Sequence, residues 1–132
     1  MEEGRFRIGE AAALLGVSPD TVRRWVDAGR LAATRDAHGH RLLDGPDLAA
    51  FARSLATAGE HAAGVRSSAR NRFRGIVTSV TRDSVMAQVE IQAGPFRVVS
   101  LMSREAVDDL DLRVGAPACA VVKSTNVIVE RA

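Results

Sequence analysis

The chain has 132 residues, of which 46% are hydrophobic and 26% charged, and its formal net charge at pH 7 is +2. This composition is typical of a globular protein, and so mild a charge does not by itself indicate a nucleic-acid partner. No apolar run approaches the roughly 18 residues that a membrane helix needs, and no apolar stretch follows the charged residues after Met1. We therefore expect a cytoplasmic protein without a membrane segment.

The length allows one domain or two small ones, and each half alone would have only a thin hydrophobic core. A thin core favours oligomerisation as a further source of buried surface. Aromatic residues make up only 4% of the chain, so the core must be built from alanine, valine, leucine and isoleucine. The single cysteine, Cys119, lies in an apolar run and is expected to be a small core residue.

The first predicted elements are two short helices joined by a tight turn. Residues 1–6 are charged and are expected to fray, after which apolar side chains recur at helical spacing until Gly16. A second helix is predicted to begin with Ser18 as its N-cap and Pro19 in its first turn, and to end at Gly29. Its apolar stripe consists of Val22, Trp25 and Val26, and its outer face carries Arg23 and Arg24.

A hairpin and a third helix are predicted next. Residues 31–34 and 40–43 read as two short strands around a turn at residues 36–39. Asp44 is expected to cap the third helix, with Asp47 as its capping-box partner and Leu55 near the end. Two helices, a hairpin and a helix, in this order, form a winged helix-turn-helix.

Residues 6–55 resemble the DNA-binding domain of the mercury-resistance-regulator (MerR) and excisionase type. The resemblance is carried by residues 8–12 (IGEAA), 17–25 (VSPDTVRRW), 29–31 (GRL) and 40–41 (HR). It implies that the second helix enters the major groove and that the hairpin touches the backbone or the minor groove. The implied DNA-binding residues are Ser18, Thr21, Arg23, Arg24, Arg35, His40 and Arg41. The alternative is a small helical module for protein contact.

The second half changes to the period of strands. Residues 1–56 are predicted to form the first domain, 57–67 a linker rich in small residues, and 68–132 the second domain. Val85, Ala87, Val89 and Ile91 alternate with polar residues, which predicts a half-buried strand. Further strands are expected at residues 75–81, 96–101, 118–123 and 126–130, with a short helix capped by Ser103 between the third and fourth. The fold class is therefore α+β, with a five-stranded OB-like β-barrel after the winged domain.

Residues 68–130 resemble the Mop domain, the single-copy form of the TOBE family, whose members bind molybdate or tungstate. The matching pieces are residues 68–71 (SARN), 75–82 (GIVTSVTR), 103–110 (SREAVDDL) and 121–127 (VVKSTNV). The resemblance implies oxyanion sites between subunits of a homo-oligomer, from a dimer up to a hexamer. The implied oxyanion-binding residues are Ser68, Arg70, Asn71, Ser103, Lys123, Ser124 and Thr125. The family often has a serine where this chain has Ala106, which puts one hydroxyl contact in doubt.

The chemistry of these residues suits a small tetrahedral anion. Backbone N–H groups, Ser and Thr hydroxyls and one or two cations are what a protein uses to hold such an ion. Lys123 is the only lysine beside seventeen arginines, which indicates a need for a compact point charge at this position. The alternative is that Lys123 is an ordinary residue at the end of a strand.

These patterns together predict a molybdate- or tungstate-responsive transcription regulator that binds DNA as a homo-oligomer. One alternative is an intracellular store or buffer of the oxyanion, and another is a DNA-architectural protein whose β-domain only oligomerises. An enzyme is not expected, because one cysteine and three scattered histidines offer neither a nucleophile–base pair nor a set of metal ligands.

Overall fold

The computed structural model describes residues 4–56 and 65–132, which divide into two compact units within Met1–Ala58 and Gly59–Ala132. Both helices and antiparallel sheets are present, so the fold class is α+β. Most of the predicted linker, residues 57–67, lies outside the described residues. Among the helices of the described ranges, none combines the length and apolarity needed to cross a membrane.

The first unit contains three short strands and three helices. In chain order they are β1 (Arg5–Arg7), α1 (Ile8–Leu15), α2 (Pro19–Asp27), β2 (Thr34–Arg35), β3 (Arg41–Asp44) and α3 (Gly45–Leu55). Gly16 ends α1 in the left-handed conformation, with φ of 69°. The Ser18 hydroxyl then accepts a hydrogen bond from the Thr21 N–H, which confirms Ser18 as the N-cap of α2.

Arg5 and Phe6 belong to a strand, so the prediction that residues 1–6 fray is wrong for these two residues, while residues 1–3 lie outside the described residues. Arg5–Arg7 pairs antiparallel with β3, and the three-stranded sheet has the order β1-β3-β2. The capping box predicted for α3 is also wrong, since the Asp44 side chain makes no capping hydrogen bond. Its carboxylate lies 3.5 Å from the Arg5 guanidinium instead. The added strand supplies a cation that attracts Asp44 away from the helix end.

The core of the first unit joins α1, α2, β3 and α3. Its buried residues are Ile8, Ala11, Ala12, Val22, Leu31, Leu43 and Leu48. Trp25 packs against this core, and its ring centroid lies 5.0 Å from that of Phe51. Trp25 is therefore a packing residue, as its place on the apolar stripe predicts, and it holds α3 against α2.

The second unit is one antiparallel sheet with a short helix. Its elements are β4 (Asn71–Arg82), β5 (Met86–Ala93), β6 (Phe96–Ser103), α4 (Arg104–Asp109), β7 (Pro117–Val122) and a 3-10 turn (Ser124–Asn126). The strand order is β6-β5-β4-β7. The Ser103 hydroxyl accepts a hydrogen bond from the Ala106 N–H, which confirms it as the N-cap of α4.

This sheet has four strands, so the fifth strand predicted at residues 126–130 is wrong. Asn126 closes the 3-10 turn, and residues 127–132 have no regular secondary structure. Ile128 and Val129 are 88% and 86% exposed. A strand needs a partner edge as well as an apolar pattern, and none of the described strands pairs with these residues.

Strand β4 is long, and its two halves pair with different strands. Residues 71–76 pair with β7, residues 76–82 pair with β5, and the register shifts between Val77 and Ser79. The backbone of β5 comes very close at Gly75, where an added Cβ would lie 2.2 Å from the Gln92 carbonyl oxygen. A side chain would block this approach, so glycine is required at this position of β4.

The core of the second unit lies on one face of the bent sheet. Val77, Ala87, Val89 and Ile91 are buried there together with Val107 of α4. The predicted alternation of β5 is thereby confirmed for its three central apolar residues, although Val85 is exposed before the strand begins. Cys119 is exposed on β7, so its prediction as a core residue is wrong. On an edge strand, alternate residues face away from the core.

We expect Gly75→Ala to destabilise the second unit by at least about 2 kcal/mol, because the new methyl group would force β4 and β5 apart. Chemical denaturation followed by circular dichroism measures this change. Gly9→Ala is the matched control, since a Cβ at Gly9 meets nothing within 4 Å. It should be neutral or stabilise by roughly 0.5–1 kcal/mol. Equal stability of Gly75→Ala and the wild type would contradict the close approach.

Candidate functional sites

Four of the predicted DNA-binding residues belong to α2 or to its N-cap, namely Ser18, Thr21, Arg23 and Arg24. Arg23 Nη1 donates to the Asp20 carboxylate at 2.6 Å, and its side chain remains 54% exposed. Arg24 Nη2 donates to the Thr21 hydroxyl at 3.2 Å, and that hydroxyl also lies 2.9 Å from the Ser18 hydroxyl. Both guanidinium groups are thus held near the start of the helix by single contacts, with further N–H groups available to a ligand.

The hairpin formed by residues 34–44, called the wing below, is held together by Asp36. Its carboxylate accepts the backbone N–H groups of His38 and His40 at 2.8 and 2.9 Å, and lies 3.3 Å from His40 Nδ1. Desolvation acts to raise the pKa of Asp36, but the N–H groups of His40 and His38 outweigh it, so this pKa is lowered. The stabilisation is therefore present above the ordinary pKa of aspartate and is lost as the pH falls through the lowered value.

An ion pair connects the wing to α2. Arg41 Nη1 lies 2.8 Å from the Asp27 carboxylate, and the Arg41 side chain is only 28% exposed. Arg35, on the other strand of the wing, donates to the Gly39 carbonyl oxygen at 2.6 Å. The DNA contact of Arg41 stays a prediction, and in the structure Arg41 ties the wing to the last residue of α2.

The wing, α2 and the start of α1 together enclose a basic cleft of about 450 Å³, called the arginine cleft below. It is lined by Arg7, Ile8, Gly9, Arg23, Arg35, Gly39, His40 and Arg41. The structure thus brings together four of the predicted DNA-binding residues. Ser18, Thr21 and Arg24 lie outside this lining. Arg7 and Gly9 were not among the predicted DNA-binding residues. Arg7 belongs to β1, a strand that was not predicted because residues 1–6 were expected to fray.

The second candidate site lies where β4 begins and β7 ends. Asn71 pairs with Val122, and its side-chain amide donates to the Val122 carbonyl oxygen at 3.1 Å. This pairing places Arg70, just before β4, next to Lys123, just after β7. Arg70 Nη1 donates to the carbonyls of Ser67 and Ala69 at 3.0 and 3.2 Å, which uses one of its three nitrogen atoms. Lys123 is exposed.

The residues after Lys123 form a turn that leaves donors free within the described part of the chain. The carbonyls of Lys123 and Ser124 accept the N–H groups of Asn126 and Val127 at 2.9 and 3.4 Å. The backbone N–H groups of Ser124 and Thr125 have no acceptor among the described backbone atoms. Together with the two hydroxyls, they give this end of β7 four donors beside one cation.

The structure separates Ser103 from the other predicted oxyanion residues. Ser68 and Arg70 precede β4, and Asn71 begins it. Ser103 lies near the other end of β4, because it pairs with Met86, whose neighbour Ala87 pairs with Arg82 at the end of β4. The Ser103 hydroxyl already accepts the Ala106 N–H at 3.1 Å. One copy of the chain therefore brings together six of the seven predicted residues, in two neighbouring segments.

Comparison with known families divides the chain in the same way as its structure. Residues 67–129 match the family described as TOBE domain, and residues 7–42 match the family described as MerR family regulatory protein. The first match contains β4 to β7 and the second contains α1, α2 and the wing up to Leu42.

The chain is similar to molybdenum-pterin-binding protein 3 of Clostridium pasteurianum, with 38% identity over 63 residues, covering 47% of this chain and 93% of that protein. It is also similar to the molybdenum transport protein ModE of Herbaspirillum seropedicae, with 35% identity over 66 residues. That match covers 49% of this chain but only 24% of ModE. Among solved structures, a molybdate-binding protein from Sporomusa ovata aligns with a TM-score of 0.49 and 28% identity, over 51% of this chain and 100% of that chain.

Proposed function

We propose, from the family to which the chain belongs, that it is a DNA-binding transcription regulator that responds to molybdate or tungstate. The chain belongs to the TOBE domain family and carries a MerR-family domain before its TOBE domain. The observation that carries the proposal is the bond between the Asn71 side chain and the Val122 carbonyl, which joins the segments of Arg70 and Lys123. The names of the relatives, molybdenum-pterin-binding protein and ModE, support molybdenum as the element concerned.

Two cations and several neutral donors match the needs of a tetrahedral dianion. Molybdate has four acceptor oxygens and carries no proton, so its burial is unfavourable unless each oxygen meets donors. Arg70 and Lys123 supply charge, Ser68 supplies a hydroxyl, and Ser124 and Thr125 supply hydroxyls and backbone N–H groups. Asn71 holds the two segments together through its own side chain.

A second copy of the chain completes the site in this proposal. In the single copy, Arg70 and Lys123 are exposed, and Ser103 lies at the other end of β4. The open sheet ends in the edge strands β6 and β7, and the apolar residues 127–129 are unpaired. Edge strands and unpaired apolar segments are the parts of a sheet that accept another chain. Pairing between copies would therefore enclose the anion and bring Ser103 of one copy to the Arg70 and Lys123 segments of another.

The first unit supplies the DNA-binding surface. Its exposed arginines converge from α2, the wing and the residue before α1, and the ion pair of Arg41 with Asp27 fixes the wing relative to α2. An oligomer presents several such surfaces at once, so binding to paired half-sites gains effective concentration. Anion binding between TOBE domains changes which oligomer is favoured, and this couples the oxyanion to DNA.

We expect Lys123→Ala to weaken molybdate binding by at least about tenfold, because each charge-assisted hydrogen bond contributes roughly 1.5–3 kcal/mol. Lys123→Arg should also bind weakly, since a planar guanidinium does not replace a compact ammonium in a closed site. Titration calorimetry with molybdate, tungstate and sulfate measures the affinities, and sulfate should compete poorly because it is smaller. Arg113→Ala removes an exposed cation elsewhere in this unit and should bind normally. Equal affinity of Lys123→Ala and wild type would remove Lys123 from the site.

We expect the full chain to form a stable homo-oligomer that Ile128→Asp converts to smaller species. Ile128 is 88% exposed in the single copy, so the new charge does not disturb the fold of one chain, but it opposes burial between chains. Sedimentation velocity with and without molybdate measures the species present. Val114→Asp is the control, because Val114 is similarly exposed, at 68%, in the loop before β7. A wild-type protein that sediments as a monomer under both conditions would contradict the assembly.

We expect Arg24→Ala to weaken binding to a DNA duplex selected with the wild-type protein by about 1–3 kcal/mol if Arg24 contacts a base edge. Fluorescence anisotropy measures the affinity, and the unfolding midpoint should stay unchanged because the side chain is exposed. Arg53→Ala on α3 removes an exposed arginine that is outside the arginine cleft and should have no effect. If Arg24→Ala binds as tightly as the wild type, α2 does not read the sequence through this residue.

A further inference from the structure

The arginine cleft contains a feature that the proposed function does not explain. Arg7 and Gly9 line it together with Arg23, Arg35 and Arg41, although the expected DNA contacts lie on α2 and the wing. Four arginines from three parts of the fold thus face one concave surface, and none of the eight described residues that line it is acidic. Asp20 and Asp27 reach two of these arginines, Arg23 and Arg41, from outside the lining.

The partners of the four arginines indicate which cation is available to a ligand. Arg23, Arg35 and Arg41 are each held by an oxygen of the chain, at 2.6, 2.6 and 2.8 Å. In the described ranges, the Arg7 guanidinium makes no such contact, while its backbone N–H donates to Glu10 at 3.1 Å. Arg7 is therefore a fixed residue with a free head group, at the end of a strand and the start of a helix.

Nothing among the described residues requires glycine at position 9. It lies in α1, it does not have a positive φ, and an added Cβ would meet nothing within 4 Å. Glycine in a helix is less stable than alanine there, so its presence at an exposed position of the cleft needs another reason. Glycine commonly occurs where a ligand approaches the backbone closely.

We propose that the arginine cleft holds one phosphodiester group of the DNA backbone, with Arg7 donating to it and Gly9 leaving room for its approach. This inference rests on the proposed DNA-binding function and adds the start of α1 as a third contact beside α2 and the wing. Phosphate contacts of this kind fix the orientation of a protein on the duplex without reading its sequence.

The openness of the cleft favours a phosphate of a polymer over a free oxyanion. Arg7, Gly9, Arg23 and Arg35 are exposed, so a small free anion there would keep much of its water and gain little. A DNA phosphate gains from the same weak contact, because many such contacts act together and release counterions. The cleft thus differs from the Lys123 site, where closure by a second copy is proposed.

The test is the effect of Gly9→Leu on binding and on stability in the full chain. A larger side chain at Gly9 should weaken binding to a short mixed-sequence duplex at low salt by about tenfold, the size of one lost contact to a charged group. The unfolding temperature should stay the same or rise, because leucine favours a helix more than glycine does. Ala13→Gly is the matched control on the exposed side of α1, and it should lower the unfolding temperature while leaving DNA binding unchanged.

Arg7→Ala provides a second measurement on the same cleft. It should reduce the slope of log affinity against log salt by about one, whereas Arg53→Ala should leave the slope unchanged. If Gly9→Leu and Arg7→Ala bind DNA like the wild type, the cleft assignment is wrong and the DNA-binding function stands. If the wild type itself binds no duplex, the proposed DNA-binding function is wrong, and the cleft assignment is wrong with it.

The source of the phosphate is tested by the Gly9 amide signal in NMR spectra. We expect the signal to shift on addition of the duplex and to stay in place on addition of inorganic phosphate at the same phosphate concentration. An equal shift with inorganic phosphate would overturn the assignment, because it would make the cleft a site for a free oxyanion.

Discussion

The architecture of the second unit depends on one close approach between backbones. At Gly75 the carbonyl of Gln92 occupies the space that any side chain would need, close to the point where the pairing of β4 passes from β7 to β5. The first half of β4 pairs with β7, including Asn71 with Val122, and the second half pairs with β5. The strand that carries Asn71 of the candidate oxyanion site therefore also contains, at Gly75, a position that excludes a side chain.

The first unit holds several arginines near one another on one surface. Arginines on a small surface repel each other, and here each of several is held by a local oxygen, from Asp20, Asp27 or the Gly39 carbonyl. These single contacts orient the guanidinium groups while leaving other N–H groups exposed. The pairing of β1 with β3 adds Arg7 to the set and fixes the start of α1.

The sequence predicted what depends on local pattern and missed what depends on a partner. The caps at Ser18 and Ser103 and the buried alternation of Ala87, Val89 and Ile91 are confirmed, because each follows from neighbours in the chain. The presence of strand β1 and the absence of a strand at residues 126–130 were not predicted, because strand pairing depends on residues that are distant in the sequence. The roles of Arg70 and Lys123 stay predictions, although their proximity follows from the pairing of Asn71 with Val122.

The pairing of β1 with β3 also has a consequence for synthesis of the chain on the ribosome. The sheet of the first unit needs Arg5–Arg7 and Arg41–Asp44, and its core needs nothing beyond Phe51. All these residues precede β4 in the chain, so they leave the ribosome first and the first unit can fold while the second is still being translated. The charged surface can then be folded already when the exposed apolar segment at residues 127–129 emerges, next to neighbouring chains on the same message.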